Sequence, residues 1–130
     1  MEYNIVNEFI RAINAHDVEQ ISHLMDEEHQ FIDAYGKEVS GKEKMLAGWK
    51  FYFEWFPDYQ IELTDMFSNG DLIAAFGFAS ATFKGLKTEK NENHWRIPAS
   101  WKIKLHKDKI RLWQVYADTK IPLDIIAGHK

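Results

Sequence analysis

The sequence contains no cysteine among its 130 residues. Disulfide bonds, thiol catalysis and thiolate metal sites are therefore excluded. No apolar run is long enough to span a bilayer, and the opening residues 1–4 lack the basic and apolar segments of a secretory signal. We therefore expect a cytoplasmic protein that makes no membrane contact.

An excess of positive charge is also missing, since 16 Lys and Arg stand against 20 Asp and Glu. This balance does not predict a nucleic-acid partner. No glycine-rich phosphate loop occurs, and the six histidines form no His-x-His or His-Glu-x-x-His pair. We expect no bound metal and no cofactor. His94 is a weaker candidate for an acid or base at a cavity mouth.

Aromatic residues are abundant, with 5 Trp, 5 Tyr and 9 Phe. Hydrophobic residues make up 45% and charged residues 28%, which is ordinary globular composition. The length suits a single domain over residues 1–130. So many rings in so short a chain predict an aromatic core or an apolar cavity.

Helical spacing of apolar residues predicts three helices in the first half of the chain. The first covers residues 3–15. The second begins at Asp17, which forms a capping-box pattern with Gln20, and the acidic residues 26–28 end it. The third follows a similar pattern at Ser40 and Glu43 and runs to about residue 56, before a proline.

Alternating apolar residues predict strands over 29–35, 59–63, 72–84, 95–105 and 110–118. Asn69-Gly70 predicts a hairpin turn, residues 85–93 a polar loop, and residues 122–127 a short terminal turn. Helices come early and consecutive strands late. This order predicts an α+β fold in which helices pack on one face of an antiparallel sheet.

Three segments carry a resemblance to a known family. Residues 5–17 (IVNEFIRAINAHD) resemble the opening helix of the nuclear transport factor 2-like superfamily, which includes ketosteroid isomerases, SnoaL-like polyketide cyclases and limonene epoxide hydrolases. Residues 108–118 (DKIRLWQVYAD) resemble the close of SnoaL-like domains. Residues 31–36 (FIDAYG), followed by Ser40-Gly41, resemble the first strand and following turn of ketosteroid isomerases.

The resemblance implies a cone, in which a curved, mostly antiparallel sheet wraps around three helices and leaves an apolar cavity open at one end. It also implies a homodimer that pairs through the sheet. The fold hosts enzymes and non-enzymes alike, so it does not define an activity.

Two carboxylates are candidates for catalysis. Asp33 falls between Phe31 and Tyr35 on one face of the predicted strand, where an aromatic cavity would raise its pKa and make it a better proton acceptor. By resemblance it matches the general base of ketosteroid isomerases. Asp118, which ends the last strand, matches by resemblance a water-activating aspartate of limonene epoxide hydrolase. The alternatives are a loop-capping or lysine-paired Asp33 and a turn-forming Asp118.

The oxyanion donors of ketosteroid isomerase are replaced in this chain. Phe9 occupies the position of the helical tyrosine, and Ser100 or Trp101 occupies that of the second donor, with Trp101 preferred because it shares a face with Ile103. Phe78 and Ser80 stand near the positions of an arginine and an aspartate of the epoxide hydrolases. These departures argue against both authentic activities.

The predicted substrate-binding wall combines large rings with the two candidate donor positions. Its members are Phe9, Trp49, Phe53, Phe56, Phe76, Phe78, Ser100, Trp101 and Tyr116. For each ring taken alone, a core position is the more common role.

Two functions follow. In the first, the protein is an isomerase-, cyclase- or hydrolase-type enzyme that performs acid/base chemistry on a small apolar ligand with Asp33 as base. In the second, the same fold is a non-catalytic module for ligand binding or dimerisation.

Overall fold

The computed structural model describes residues 2–83 and 93–127, which form four helices and one six-stranded sheet. In chain order the elements are α1 (Glu2–Asn14), α2 (Val18–Leu24), β1 (Met25–Ile32), β2 (Glu38–Ser40), α3 (Lys42–Trp55), β3 (Gln60–Asn69), β4 (Leu72–Thr82), β5 (His94–His106), β6 (Lys109–Ala117) and α4 (Lys120–Ala127). The predicted α+β class is confirmed. The predicted polar loop lies outside the described residues except for Asn93.

The sheet has the strand order β2-β1-β6-β5-β4-β3. All neighbours are antiparallel except β1 and β6, which run parallel and place Phe31 opposite Trp113. Register shifts interrupt the β1–β6, β3–β4 and β5–β6 ladders. Such irregularities bend strands and increase their twist.

One face of the sheet forms the core, as the alternation in β4 and β5 predicts. Apart from Ile73, the residues of β4 on this face are small, whereas β5 contributes large residues there except for Ala99: Trp95, Ile97, Trp101, Ile103 and Leu105 are all buried. Gly77 belongs to the small set because a Cβ there would lie 1.9 Å from the Glu62 carbonyl oxygen at the β3 irregularity. Helix α1 contacts β3 and β6 above this face, and α3 contacts β1 and β2.

Of the two predicted helix caps, one is confirmed and the other is wrong. The Asp17 side chain accepts a hydrogen bond from the Gln20 backbone N–H at 3.1 Å and caps α2. Ser40 does not cap α3, since it is paired with Gln30 as the last residue of β2, and Gly41 takes the cap position without a side-chain hydrogen bond.

The first strand lies four residues earlier than predicted at its start and ends at Ile32, before Asp33. The acidic residues 26–28, predicted to end a helix, belong to this strand. Arg111 of the neighbouring β6 pairs with them, at 3.2 Å from Asp26 and 3.0 Å from Glu28. A cross-strand cation thus stabilises an acidic stretch in extended conformation.

The terminal segment is a full helix, α4, where only a short turn over 122–127 was predicted. No helix within the described ranges is long and apolar enough to cross a membrane.

His29 of β1 is a fully buried histidine whose Nδ1–H donates to the Ile110 carbonyl at 2.7 Å. Its Nε2 makes no hydrogen bond with any described residue. Burial lowers the pKa of the ring, although the Ile110 carbonyl and Asp26 oppose this effect. The His29 ring is therefore neutral in the folded protein near neutral pH.

The free energy of unfolding should consequently fall as the pH drops below about 6.5, the pKa of an unfolded histidine. In this pH range His29 of the unfolded chain binds a proton, whereas the buried ring of the folded protein does not. Asn at position 29 keeps an amide donor near Nδ1 and does not titrate. We expect His29→Asn to flatten the pH dependence of urea unfolding between pH 7 and pH 5.

The control is His23→Asn, because His23 is an exposed histidine of α2. It should leave the pH dependence of wild type in place. Parallel slopes for wild type and His29→Asn would contradict the assignment.

Candidate functional site

A cavity of about 390 Å³ opens between α3 and the paired strands β1 and β6. Its volume falls within the range of small-molecule sites, about 300–1,000 Å³. The lining is mostly apolar and comes from all three elements and the segments that follow them: Phe31, Asp33, Ala34, Tyr35, Val39, Met45, Gly48, Trp49, Tyr52, Tyr59, Trp113, Val115 and Thr119.

One face of α3 supplies the helical side of the cavity. Met45, Gly48, Trp49 and Tyr52 are spaced three or four residues apart, so they form a single stripe along the helix. Gly48 is a helix-interior glycine without positive φ, and a Cβ there would meet only the Met45 sulfur at 3.8 Å. The glycine therefore leaves room in the wall rather than relieving backbone strain.

Asp33 lines the cavity, but as the first residue of a turn and not within a strand. Its Oδ1 accepts backbone N–H bonds from Tyr35 at 2.8 Å and from Lys37 at 3.0 Å. These bonds to the turn compete with continuation of the strand, which is why β1 ends at Ile32. Asp33 Oδ2 accepts no hydrogen bond from the described residues, so it remains available to a ligand.

A contact at the cavity rim joins two loops. The Tyr35 hydroxyl is hydrogen-bonded to the Thr119 hydroxyl, which connects the β1–β2 turn to the segment between β6 and α4. Both residues line the cavity. This pair holds the Asp33 turn against the end of β6.

Asp118 does not join Asp33 in the cavity. It is exposed, and its Oδ1 accepts the Lys120 backbone N–H at 3.0 Å, which is the turn-forming arrangement. Asp118 is not among the residues that line the cavity, although its neighbour Thr119 is. A catalytic role for Asp118 stays a prediction without support from this geometry.

The structure divides the predicted binding wall, and only Trp49 lines the cavity. Phe9 is buried behind Trp113, with ring centroids 4.9 Å apart. The ring centroid of Trp101 is 6.1 Å from that of Trp113. Trp101 is buried in the core, where its Nε1 has no hydrogen-bond partner among the described residues. The expectation that Phe9 and Trp101 face the cavity is therefore wrong.

Phe53 of α3 and Phe56, the residue that follows this helix, also belong to the core and not to the cavity. Phe53 stacks between His16 and Trp49, with ring centroids 4.0 Å and 5.4 Å away, respectively. Phe56 packs 5.8 Å from Trp95. Both were predicted to line the binding wall, and both are buried beside it.

The remaining predicted wall residues lie on the outer face of the sheet. Phe76 and Tyr116 flank Ser100 across three strands, on the side opposite the core. Phe78 lies on that side as well, with the Arg96 guanidinium 3.8 Å above its ring. The residues before and after Phe76, Phe78 and Ser100 in their strands are buried in the core, and side chains alternate between the two faces of a strand. Tyr116 shares the face of its partner Ser100, so the expectation that these four residues face the cavity is wrong.

His94 is on the outer face too, where its Nδ1 bonds the Thr82 hydroxyl at 2.8 Å. It is therefore not at the cavity mouth. Among the described ranges, no cluster of His, Asp or Glu has the arrangement of a metal site.

Sequence reasoning missed two tyrosines of the cavity, Tyr52 and Tyr59. Their rings meet edge to face with centroids 5.0 Å apart. Tyr52 is three residues after Trp49 on α3, a spacing that places both on one side of the helix. Tyr59 was assigned only to a strand, and its cavity position follows from the turn after α3, which no local pattern predicts.

Comparison with known proteins identifies the family and the fold. Residues 6–113 match the model of the SnoaL-like domain, and the chain belongs to that family. The chain has no sequence match among curated proteins.

Solved structures share the fold at low identity. A candidate SnoaL-like polyketide cyclase from Shewanella denitrificans has a TM-score of 0.82 at 17% identity, covering 98% of this chain and 97% of that one. IdmH, a candidate polyketide cyclase from Streptomyces antibioticus, has 0.80 at 18%, covering 98% and 99%. An LEH-like epoxide hydrolase from M. tuberculosis has a TM-score of 0.80 at 9% identity, covering 98% of this chain and 90% of that one. These similarities establish the nuclear transport factor 2-like fold.

Replacement of Gly48 tests whether the glycine serves the cavity and not the helix. Alanine fits without a close contact and favours helix, so Gly48→Ala should raise the free energy of unfolding by about 0.5–1 kcal/mol. Urea denaturation measures the change. The matched control Ala47→Gly, one residue earlier on α3, should lower stability by a similar amount. A loss of stability in Gly48→Ala would show that the glycine has a structural purpose.

Proposed function

We propose that the protein is a cofactor-independent enzyme that performs acid/base chemistry on a small, largely apolar ligand in this cavity, with Asp33 as the proton acceptor. The observation that carries the proposal is the state of the Asp33 carboxylate. Its Oδ1 is fixed by two backbone N–H groups, whereas its Oδ2 is unengaged by the described residues in an otherwise mostly apolar cavity. A fixed carboxylate with one free oxygen is suited to taking a proton from a bound ligand.

The chemistry requires no second substrate. Asp33 Oδ2 takes a proton from a carbon next to a ligand carbonyl, and the C–H electron pair moves toward the carbonyl oxygen to give an enolate. Return of the same proton to another carbon of the conjugated system completes an isomerisation. Attack of the enolate carbon on a second carbonyl forms a C–C bond and leaves an alkoxide, and transfer of the proton from Asp33 to that alkoxide completes a cyclisation. The names of two relatives, both candidate polyketide cyclases, support the cyclisation.

The Asp33→Asn variant tests the base. The Asn oxygen still accepts the two turn N–H bonds, so the fold should persist. A general base contributes about 10²–10⁴-fold to the rate, and we expect kcat to fall by that factor with substrate binding retained. The assay is turnover of a panel of enolisable ketones, epoxides and aromatic polyketides.

The control is Asp71→Asn in the β3–β4 turn, which is remote from the cavity lining. It should retain wild-type turnover. A substrate that is turned over equally by wild type and Asp33→Asn would remove Asp33 from the mechanism.

A second candidate is a non-catalytic ligand-binding module. It is favoured by the exclusion of Ser100 and Trp101 from the cavity, because neither predicted donor can then serve an oxyanion there. Ligand binding by wild type without turnover of any panel member would support this candidate. The cytoplasmic location stays a prediction in either case.

The proposal includes a homodimer, as the family resemblance implies. The outer face of the sheet exposes apolar side chains, including Phe67, which is 61% exposed, and Phe76, which is 43% exposed. The centroids of these two rings are 6.3 Å apart. Contiguous exposed rings are typical of interaction surfaces. A second copy of this chain, packed face to face through the sheet, would cover them.

Sedimentation tests the dimer. Wild type at about 50 μM, a concentration well above the Kd expected of a standard interface, should sediment as a dimer, and Phe76→Glu should sediment as a monomer because it buries a charge in the interface. The control Phe51→Glu changes an exposed ring of α3 on the other side of the molecule. A monomeric wild type, or dissociation caused equally by both variants, would contradict a dimer through the sheet.

A further inference from the structure

The cavity contains two phenol groups that the proposed proton transfer leaves without a role. Tyr52 lies in the last turn but one of α3, and Tyr59 lies just before β3, so one helix end and one turn bring them together. The backbone holds both in place. The Tyr52 carbonyl accepts the Phe56 N–H at 2.9 Å, and the Tyr59 carbonyl is bonded to His16 Nε2 at 3.1 Å.

Neither phenol hydroxyl forms a hydrogen bond with the described residues. Tyr35, by contrast, has its hydroxyl bonded to Thr119 at the rim. The Tyr59 side chain is buried, with 8% of its surface exposed, and Tyr52 is half-buried. A hydroxyl in such surroundings costs free energy unless it finds a partner. The partner must come from outside the chain, as water or as a ligand.

The two phenols are donors and not bases. Burial raises the pKa of both hydroxyls above the ordinary value of tyrosine, and the neighbouring Tyr52 raises that of Tyr59 further. Both therefore stay protonated near neutral pH. An oxygen atom with lone pairs is the group that such hydroxyls bind.

The charge of the cavity limits the kind of oxygen. Asp33 is the one charged side chain in the cavity lining drawn from the described residues, and no Lys, Arg or His lines it. A ligand that carries a carboxylate or phosphate would meet a like charge without a compensating cation. A neutral acceptor, such as a ketone, meets no such repulsion.

We propose that Tyr52 and Tyr59 form the polar anchor of the cavity and that its ligand is a neutral ring compound with a ketone oxygen bonded to these two hydroxyls. The proposal rests on the ligand-binding cavity of the proposed function and names its substrate class. If Asp33 takes the proton next to that ketone, the negative charge develops on the oxygen that the two hydroxyls hold. Donors placed at that oxygen stabilise the charge and replace the helical tyrosine that Phe9 displaces.

The experiment compares two ligands of matched shape, 1-tetralone and tetralin, which differ by the ketone oxygen. Their dissociation constants are measured by quenching of tryptophan fluorescence, since Trp49 and Trp113 line the cavity. We expect wild type to bind the ketone at least ten-fold more tightly than the hydrocarbon. Each of Tyr52→Phe and Tyr59→Phe should reduce that preference by about two- to ten-fold, the loss expected for one neutral hydrogen bond.

A spectroscopic measurement separates hydrogen bonding from altered packing. The carbonyl stretch of bound 1-tetralone should lie at lower wavenumber in wild type than in the double variant Tyr52→Phe/Tyr59→Phe. Phenylalanine preserves the ring, so tetralin binding should not change. Tyr3→Phe, an α1 variant outside the cavity lining, is the matched control and should behave as wild type.

Three results would each overturn the proposal. They are equal affinity of wild type for ketone and hydrocarbon, binding of neither ligand, and a carbonyl stretch at the same wavenumber in wild type and in the double variant. Asp33→Asn separates this result from the proposed proton transfer. It should keep the ketone preference, because the anchor does not involve Asp33. A preserved preference in a protein without turnover would leave the anchor standing while the catalytic proposal fails.

Discussion

Burial of one face of the six-stranded sheet is the constraint on which the rest of the structure depends. The inner residues of β4 are mostly small and those of β5 mostly large, and α1 contacts β3 and β6 above this face. Helix α3 covers β1 and β2 but leaves the cavity between itself and the β1–β6 pair. The apolar lining is therefore a part of the core surface that no side chain of the described residues fills.

The parts of the fold that the sequence predicts are those in which one periodicity operates alone. The alternation from Trp95 to Leu105 places every second residue in the core, and the structure agrees. Asp17 caps α2 because no other structure competes for it. Ser40 does not act as a cap because it pairs with Gln30 in the β1–β2 ladder. Local patterns cannot predict such a competition, since the partner is distant in sequence.

The cavity was harder to predict than the fold for a similar reason. Periodicity places rings on faces but does not say which buried ring meets open space. Trp49 and Phe53 share a helix and both are buried, yet only Trp49 lines the cavity. On the sheet, the odd-numbered and even-numbered residues had to be assigned to opposite faces, and Phe76 and Tyr116 were placed on the wrong one. The resemblance supplied the position of Asp33, although not its turn conformation or its half-bonded carboxylate.

The parallel pairing of β1 with β6 has a consequence for how the chain reaches this state. Phe31 can pair with Trp113 only after all the residues between them have been synthesised, and closing so large a loop is slow. In the sheet order, β6 is the strand that covers the edge of β1 opposite β2, and a strand edge left unpaired favours aggregation. Because Trp113 and Val115 of β6 form one wall of the cavity, the cavity exists only once β6 has joined the sheet.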